Sequence, residues 1–502
     1  MTVTSSMSQQ VPVSSLFVLI PVAFAARTNR LPYPPGPPSP SLILGHYGKL
    51  PTRKPWLDYM EMGKTYGELI YFRSLRDNVL VINSAQATNE IMEKQARITS
   101  DRPFGSKLDK FTRWDTNIGL AVYSDRWRRA RRTFHQNFRS EAVAKYQPIQ
   151  IEKVHKFLRS LLELSKSSGS HEQSGDELMN NISTLSQGIM MKSIYGIEVQ
   201  SAAKEAIPQA ARETADHMDQ AFLPGGTAYR SIPFAHLWAW LVPSGWSEFA
   251  RVQKCARETL NTLREVPFDE AMKNWKLGDH SSLVGELMMQ HNTKARPAKE
   301  VESVKNMAST AVTAASDTTV SATATFFLAL SLYPEVQSKA QEELDRVLGP
   351  GRIPSFKDRK DLPYVEAVYR EVMRWHPALP IAFPHKSTED MIYKGYFIPK
   401  GTILHANVWA ITHDPDQYTD PDKFIPERYL NKDGSFNKMY MNISTIDAFG
   451  YGRRVCVGRY VADAILWLTM ASVLTTIRVE RVGGDKSDVL DIERHYSDSA
   501  LW

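Results

Sequence analysis

The stretch FGYGRRVCVG, residues 449–458, places Cys456 on a glycine-rich loop directly before an apolar helical run at 460–475. A thiolate there is stabilised by backbone N–H groups and by the positive end of the helix dipole. The three glycines let the backbone pass close to a flat cofactor, and Arg454 supplies a cation. The stretch therefore predicts that Cys456 is a metal ligand, in preference to an ordinary buried cysteine in a turn.

A second stretch, residues 307–333, is 27 residues long and carries Asp317 as its only charge. Its Ala, Ser and Thr content favours a buried helix crossing a pocket over a membrane span. A buried acid costs free energy and needs a reason, and proton delivery by Asp317 and the adjacent Thr318 supplies one. The alternative for Thr318 is a local hydroxyl bond to the preceding turn.

The composition is that of a globular protein, with 42% hydrophobic residues and a net charge of +6. The two cysteines, Cys255 and Cys456, exclude a disulfide framework and indicate a reducing environment. Cys255 lies in a helical pattern without glycines and is interpreted as structural. No nucleic-acid module accompanies the positive charge, so we expect no nucleic-acid partner.

The N-terminus reads as a membrane anchor at residues 1–30. Residues 1–26 carry no charge, and the apolar run at 11–26 is followed by Arg27 and Arg30, which favour retention of that side in the cytosol. Sixteen helical residues reach ~24 Å, slightly less than a bilayer core of about 30 Å. The alternative is a cleaved signal peptide, because AFA at 23–25 fits a cleavage pattern.

The remaining chain is predicted to be one large, mainly α domain (α+β) at 41–502. The run LPYPPGPPSP at 31–40 forms a stiff extended hinge before it. Short strands are predicted at 69–72 and 79–82, and a helix at 84–94 begins with a capping serine. Helical patterns dominate the rest.

The cysteine stretch matches F-x-x-G-x-R-x-C-x-G at every fixed position, and on this basis the chain resembles the cytochrome P450 family of haem-thiolate monooxygenases. The segments SDRP at 100–103 and AFGYGRR at 448–454 are similar to fungal microsomal members of secondary metabolism. The resemblance implies a helical domain with small sheets and a haem b with Cys456 as axial thiolate. The loop residues implied to contact the haem are Phe449, Gly452, Arg454 and Gly458.

Further haem contacts follow from the same resemblance. The segment WRRAR at 127–131 is similar to a W-x-x-x-R helix whose Trp and Arg reach the propionates, which implies Trp127 and Arg131. His385 resembles a basic residue that also reaches a propionate, although a surface histidine is the alternative. Asp317 and Thr318 match the family's acid-alcohol pair, which bends the helix and relays protons. Ala315 stands where glycine is usual, so the helix distortion there is expected to differ.

A structural network is implied by Glu371 and Arg374, which match the family's E-x-x-R helix, together with Arg428 in the later FIPER segment. Their expected role is to fix the loop that carries Cys456. Alone, an acid and a base three residues apart are a common surface pair of little consequence.

The resemblance also implies a function. Dioxygen and two electrons derived from NADPH would oxidise a small hydrophobic substrate, expected to be a terpenoid, polyketide or indole. The chain contains no nucleotide-binding fingerprint, so the electrons are expected from a separate flavoprotein reductase. A basic cluster beside Trp127 is the expected docking site, unless it is only a solvated helix face. The cluster consists of Arg126, Arg128, Arg129 and Arg132.

The anchor and the resemblance together place the protein in the endoplasmic reticulum membrane with its catalytic domain facing the cytosol. Apolar substrate walls are expected at 104–118, 232–242 and 380–383, although all three are equally typical of core. The chain ends 46 residues after Cys456, which is short for the family's closing hairpin. Two alternative functions remain at this point: a haem-thiolate isomerase or dehydratase without dioxygen, and a non-enzymatic haem carrier.

Overall fold

The computed structural model describes residues 31–105, 113–166, 171–202, 205–224, 248–290 and 298–481. The predicted anchor at 1–30, the apolar run at 232–242 and the segment after residue 481 lie outside them. Among the described residues, no helix combines the length and apolar character that a bilayer crossing requires.

Helices dominate the described chain and small sheets accompany them, as predicted. The helices are α1 Pro55–Tyr66, α2 Ala85–Thr88, α3 Ala96–Thr99, α4 Asp125–Phe138, α5 Gln147–Leu164, α6 His171–Tyr195, α7 Ala206–Phe222, α8 Glu248–Lys276, α9 Leu283–Gln290, α10 Ala298–Leu332, α11 Pro334–Leu348, α12 Pro363–Trp375, α13 Val408–Thr412 and α14 Arg459–Thr476. One-turn 3-10 helices include Pro426–Tyr429, Asp447–Phe449 and Gly452–Arg454.

The two predicted strands are confirmed. The strands are β1 Leu69–Ser74, β2 Asp77–Ile82, β3 His385–Lys386, β4 Met391–Tyr393, β5 Tyr396–Ile398 and β6 Ile403–Ala406. Four of them form one sheet in the order β1-β2-β6-β3. β1 and β2 pair antiparallel with Leu69 opposite Ile82, whereas β2 and β6 run parallel with Val79 opposite Ile403. A separate hairpin pairs β4 with β5.

The helix predicted at 84–94 begins as expected but does not continue as one α-helix. The Ser84 hydroxyl accepts a hydrogen bond from the Ala87 N–H at 3.0 Å and caps α2. After Thr88 the chain widens into a π-helical turn, Asn89–Glu93, which the Lys94 N–H closes onto the Asn89 carbonyl at 2.9 Å. Such turns interrupt α-helices where one extra residue must be accommodated.

The proline-rich segment at 31–40 is extended and fixed to the body. The carbonyls of Pro32 and Pro35 accept hydrogen bonds from the N–H groups of Phe397 and Tyr71, at 2.7 and 2.8 Å. The Tyr33 ring stacks on Tyr71 with centroids 5.2 Å apart. Since proline cannot continue a helix, the segment runs as a strap along β1 and β5.

The central helix α10 extends from Ala298 to Leu332 and is buried on nearly every side from Val304 onward. The apolar stretch from which the helix is predicted begins nine residues later, at 307, because the first turns of the helix, 298–306, are polar and amphipathic. Pro334 begins α11 and thereby marks the end of the central helix. The helix packs within the main core formed by α4 to α12 and α14.

Candidate active site

Cys456 lies between the turn Gly452–Arg454 and the first residue of α14. Its backbone N–H donates to the Phe449 carbonyl at 2.7 Å, which closes the loop. The N–H groups of Gly458 and Arg459 donate to its sulfur. Burial raises the pKa of the Cys456 thiol, while these two donors and the charge of Arg131 act in the opposite direction. A coordinated cation would stabilise the thiolate further.

The sulfur faces an internal cavity of about 300 Å³. The Cys456 side chain is surrounded by protein, but it has solvent-accessible surface because it borders this cavity. Asp317 and Thr318 of the central helix line the same cavity. The remaining lining is largely apolar and includes Phe134, Phe138, Met190, Ala311, Leu379 and Phe383. The cavity therefore brings together a sulfur ligand, an acid-alcohol pair and an apolar wall.

The acid-alcohol pair sits on an uninterrupted α-helix. The Thr318 hydroxyl donates to the Ala314 carbonyl at 2.8 Å. This is the local hydroxyl bond that the sequence offers as the alternative role of Thr318. The next carbonyl, of Ala315, accepts a hydrogen bond from the Ser186 hydroxyl of α6 at 2.8 Å. Ala314 is exposed to the cavity although its helix is buried. The hydroxyl of Thr318 thus both bonds locally and borders the cavity.

Three arginines gather at one end of the cavity: Arg102, Arg131 and Arg454. Burial and the neighbouring charge of Arg102 lower the pKa of Arg454 to about 8. Burial and Arg131 lower the pKa of Arg102 to about 9. The Arg454 Nη1 is buried with no hydrogen-bond partner among the described residues. This cluster favours a bound anionic group.

Trp127 lines the cavity, but its indole N–H is already engaged. It donates to the Ile118 carbonyl at 3.1 Å, and its ring face packs against the Arg454 guanidinium at 4.0 Å. Arg131, on the same helix, donates to the Val455 carbonyl beside Cys456. The W-x-x-x-R pair thereby supports both Arg454 and the cysteine loop.

His385 is buried in β3, which excludes the surface alternative. Its Nδ1 lies 2.9 Å from the Thr99 carbonyl, and since a carbonyl only accepts, Nδ1 carries the hydrogen. Burial and the charge of Arg102 hold the pKa of His385 well below its ordinary range. A neutral imidazole with its tautomer fixed therefore borders the arginine cluster.

The loop glycines divide between two surroundings. Gly458 and Phe449 line the cavity with Cys456, and a Cβ on Gly458 would lie 3.9 Å from the sulfur. Gly452 is not among the lining residues: its φ is +61°, and a Cβ there would lie 2.4 Å from the Met92 carbonyl oxygen. Glycine is therefore required at position 452 because the backbone of the π-helical turn approaches it closely, and not because a cofactor does.

The predicted Glu371 network is present, with Glu371 and Arg374 buried and Arg428 at its edge, 11% exposed. Arg374 binds the carboxylate with two hydrogen bonds of 2.7 and 2.8 Å, and Arg428 Nε adds a third at 3.1 Å. Arg374 also donates to the carbonyls of Thr412 and Pro421. The network therefore joins α12 to the segment that leads into the cysteine loop.

Comparison with known proteins decides the family. The family model for cytochrome P450 matches residues 34–493. The chain belongs to the cytochrome P450 family. Cytochrome P450 monooxygenase COX1 of Coprinopsis cinerea is 34% identical, covering 98% of this chain and 95% of that protein. Tryptamine 4-monooxygenase of Psilocybe cyanescens is 30% identical, covering 94% and 90%. Cytochrome P450 monooxygenase ple1 of Rhodocybe pseudopiperita is 31% identical, covering 99% and 93%.

Membership in the cytochrome P450 family establishes a monooxygenase whose haem is ligated by a cysteine thiolate and whose electrons come from a redox partner. The residues on this cavity fit that haem. Cys456 offers the sulfur, and the arginine cluster offers donors for two propionates, including the Arg454 nitrogen that no other described residue binds. The apolar lining suits a flat macrocycle and an apolar molecule beside it.

A further arginine, Arg102, lines this P450 site. It donates to the carbonyls of Gly119, Phe383 and Pro384 and is 4% exposed. The SDRP segment indicates the fungal resemblance, but nothing in the sequence pattern assigns its arginine to the site. Cys255, which the sequence pattern interprets as structural, is exposed on α8.

The expected substrate walls of this P450 are placed in part. Asn117 and Ile118, from the first of them, line the cavity, as do Ala382 and Phe383 from the third. Phe104 packs in a small separate core with Trp114 and does not line the cavity. The run at 232–242 lies outside the described residues.

Proposed function

We propose that this cytochrome P450 inserts one oxygen atom into a small, largely apolar molecule of fungal secondary metabolism. The observation that carries the proposal is the sharing of one cavity by Cys456, by the Asp317 and Thr318 pair and by an apolar wall. One relative is a tryptamine 4-monooxygenase by name, and tryptamine is an indole amine. Indoles, terpenoids and polyketides are therefore the first substrate classes to test.

The roles of the site residues follow from their contacts. When bound, the haem supplies the redox chemistry that activates dioxygen, with electron density donated by the thiolate. Arg102, Arg131, Arg454 and neutral His385 would hold its propionates. The Thr318 hydroxyl donates its hydrogen bond to the Ala314 carbonyl, so its oxygen remains able to accept a hydrogen bond from a donor in the cavity. Asp317, one residue earlier, is the proposed source of protons.

Two measurements test this proposal. The carbon monoxide difference spectrum of the reduced protein should show the thiolate-type band, and Cys456→Ser should lose it. With reductase, NADPH and a bound apolar substrate, oxygen consumption should accompany formation of an oxidised product. Turnover that needs no NADPH would favour an isomerase or dehydratase. Haem binding without any oxygen consumption would favour a carrier.

Electron delivery is proposed to use the exposed face of α4. All four arginines of the cluster, Arg129 and Arg132 among them, are exposed, whereas Trp127 of the same helix is buried. An acidic flavin domain would dock on such a surface through charge complementarity. Charge reversal at Arg129 and Arg132 should slow NADPH-driven reduction and leave dithionite-driven reduction unchanged. Arg159→Glu, exposed on α5, is the matched control.

The location proposed for the protein is the endoplasmic reticulum membrane, with the body facing the cytosol. Besides the apolar run and the following arginines, two side chains after the strap support a membrane-near position: Leu42 is 92% exposed and Ile43 84%. Protease added to intact microsomes should digest the body. An intact N-terminus by mass spectrometry would exclude signal cleavage, and protection of the body would overturn this orientation.

A further inference from the structure

The loop that carries Cys456 is held from outside by a residue that lies 359 positions earlier in the chain. The Gly452 N–H donates to the Glu93 carboxylate at 2.6 Å. Gly452 begins the 3-10 turn Gly452–Arg454, and no side chain of the residue before it caps this turn. The first N–H groups of any helical turn lack partners within it, and a carboxylate is their favoured acceptor. Glu93 therefore caps the turn from another part of the fold.

The element that presents Glu93 is itself firmly placed. Glu93 ends the π-helical turn, whose Ile91 and Met92 side chains are completely buried. Both belong to the same core cluster as Tyr451, the residue before Gly452. The Met92 carbonyl approaches Gly452 so closely that any Cβ would clash with it. Two successive residues of the π-helical turn thus contact the same loop residue, one through its backbone and one through its carboxylate.

The capped turn leads directly to the site. Arg454, its last residue, donates to the carbonyls of Ser100 and Ala121 at 2.7 and 2.8 Å. Val455 follows and accepts from Arg131, and Cys456 closes the loop onto Phe449. Only three residues separate Gly452 from Cys456 in this tightly bonded loop, so a shift at Gly452 would be transmitted to the sulfur.

We propose that Glu93 is a positioning residue for the loop that carries the Cys456 thiolate, and that the π-helical turn Asn89–Glu93 holds this loop in place. By fixing the tip of the loop, the carboxylate keeps Cys456 in the geometry that ligates iron. The proposal rests on the thiolate ligation assigned above, but it needs no substrate and no reductase to be tested.

The test compares Glu93→Ala with Glu93→Gln in the full-length haem protein. The alanine variant should convert from the thiolate-type to the non-thiolate carbon monoxide spectrum about five- to tenfold faster under mild heating, as loss of one charge-assisted bond implies. Glutamine still offers an oxygen acceptor and should restore most of the wild-type rate. Glu90→Ala is the matched control, because Glu90 lies on the same turn and its carboxylate pairs with Lys94 at 2.5 Å.

The outcomes are separable. Equal conversion rates for Glu93→Ala and Glu90→Ala would overturn the proposal, as would a Glu93→Gln variant as fast as Glu93→Ala. If Glu93→Ala does not take up haem, Glu93→Asp, whose shorter side chain withdraws the carboxylate, gives the same comparison. Absence of the thiolate-type band in the wild-type protein would instead contradict the site assignment itself.

Discussion

The guanidinium of Arg454 lies over the indole ring of Trp127 at 4.0 Å, and each residue reaches this position from a different part of the chain. Trp127 belongs to α4, whereas Arg454 ends the turn before Cys456. Such cation–π contacts contribute most where the cation is desolvated. The ring therefore supports an arginine whose Nη1, unbonded within the described part of the chain, is available to a haem propionate.

Two variants of Trp127 are expected to distinguish the contact of its ring with Arg454 from the hydrogen bond of its indole N–H to Ile118. Trp127→Phe keeps a ring beneath Arg454 and loses only the bond to Ile118, so it should retain most of its haem. Trp127→Ala removes a buried ring and should lower the free energy of unfolding by about 3–5 kcal/mol, with haem loss. The haem-to-protein ratio and urea unfolding measure both. Equal haem loss in the two variants would contradict support by the ring.

Loss of the Glu371 carboxylate is expected to be severe. Glu371→Gln leaves Arg374 and Arg428 without their counter-charge, and stranding a buried charge lowers the free energy of unfolding by about 3–5 kcal/mol. The pair Glu61 and Lys64 offers a control, because its atoms are 2.6 Å apart but about 70% exposed. Glu61→Gln should change stability by about 0–1 kcal/mol. Similar unfolding midpoints for the two variants would contradict the role of the network.

The local part of this site is what the sequence alone can predict. The cysteine loop is one continuous motif, and three residues for which it predicts haem contacts, Cys456, Arg454 and Gly458, all line the cavity. The Glu371 and Arg374 pair is also local, and the structure places Arg428 beside it as implied.

What the sequence does not predict are contacts between distant segments. The role of Arg102 depends on carbonyls more than 280 residues away, at Phe383 and Pro384. The Glu93 contact with Gly452 likewise has no local signal, because an exposed Glu on a helical pattern is ordinary. Gly452 was assigned to the cofactor, whereas its missing Cβ accommodates Met92. Periodicity predicted a helix at 84–94 but could not reveal the π-helical turn within it.

Acid is expected to destabilise the protein through buried histidines. Burial and the charge of Arg374 lower the pKa of His413 from 6.5 to about 3. Burial also lowers the pKa of His405 to about 3. Below pH 6.5 the unfolded chain binds protons that the folded protein does not, so the free energy of unfolding falls as pH drops toward 3. Each histidine contributes about 1.4 kcal/mol per pH unit.

Urea unfolding at several pH values between about 3 and 6.5 measures how steeply the free energy of unfolding falls with pH. The variant His413→Gln removes the contribution of one histidine to this slope. The ring of His413 stacks on Trp409 at 3.8 Å, so the variant is expected to be less stable at neutral pH but less sensitive to acid. Comparison of the two slopes cancels the contribution of carboxylates. An unchanged slope in the variant would show that His413 is not neutral in the folded protein.

The hydroxyl of Thr318 is expected to couple electron use to product formation. Thr318→Ala removes one hydroxyl from the cavity wall while keeping the helix, so NADPH consumption should continue with product yield lowered about tenfold. Thr318→Ser keeps the hydroxyl and should retain most of the coupling. Thr323→Ala is the matched control: Thr323 makes the same bond, to the Thr319 carbonyl at 2.8 Å, but does not line the cavity. Product formed per NADPH is the measurement, and equal yields from Thr318→Ala and Thr323→Ala would mean that the hydroxyl serves the helix alone.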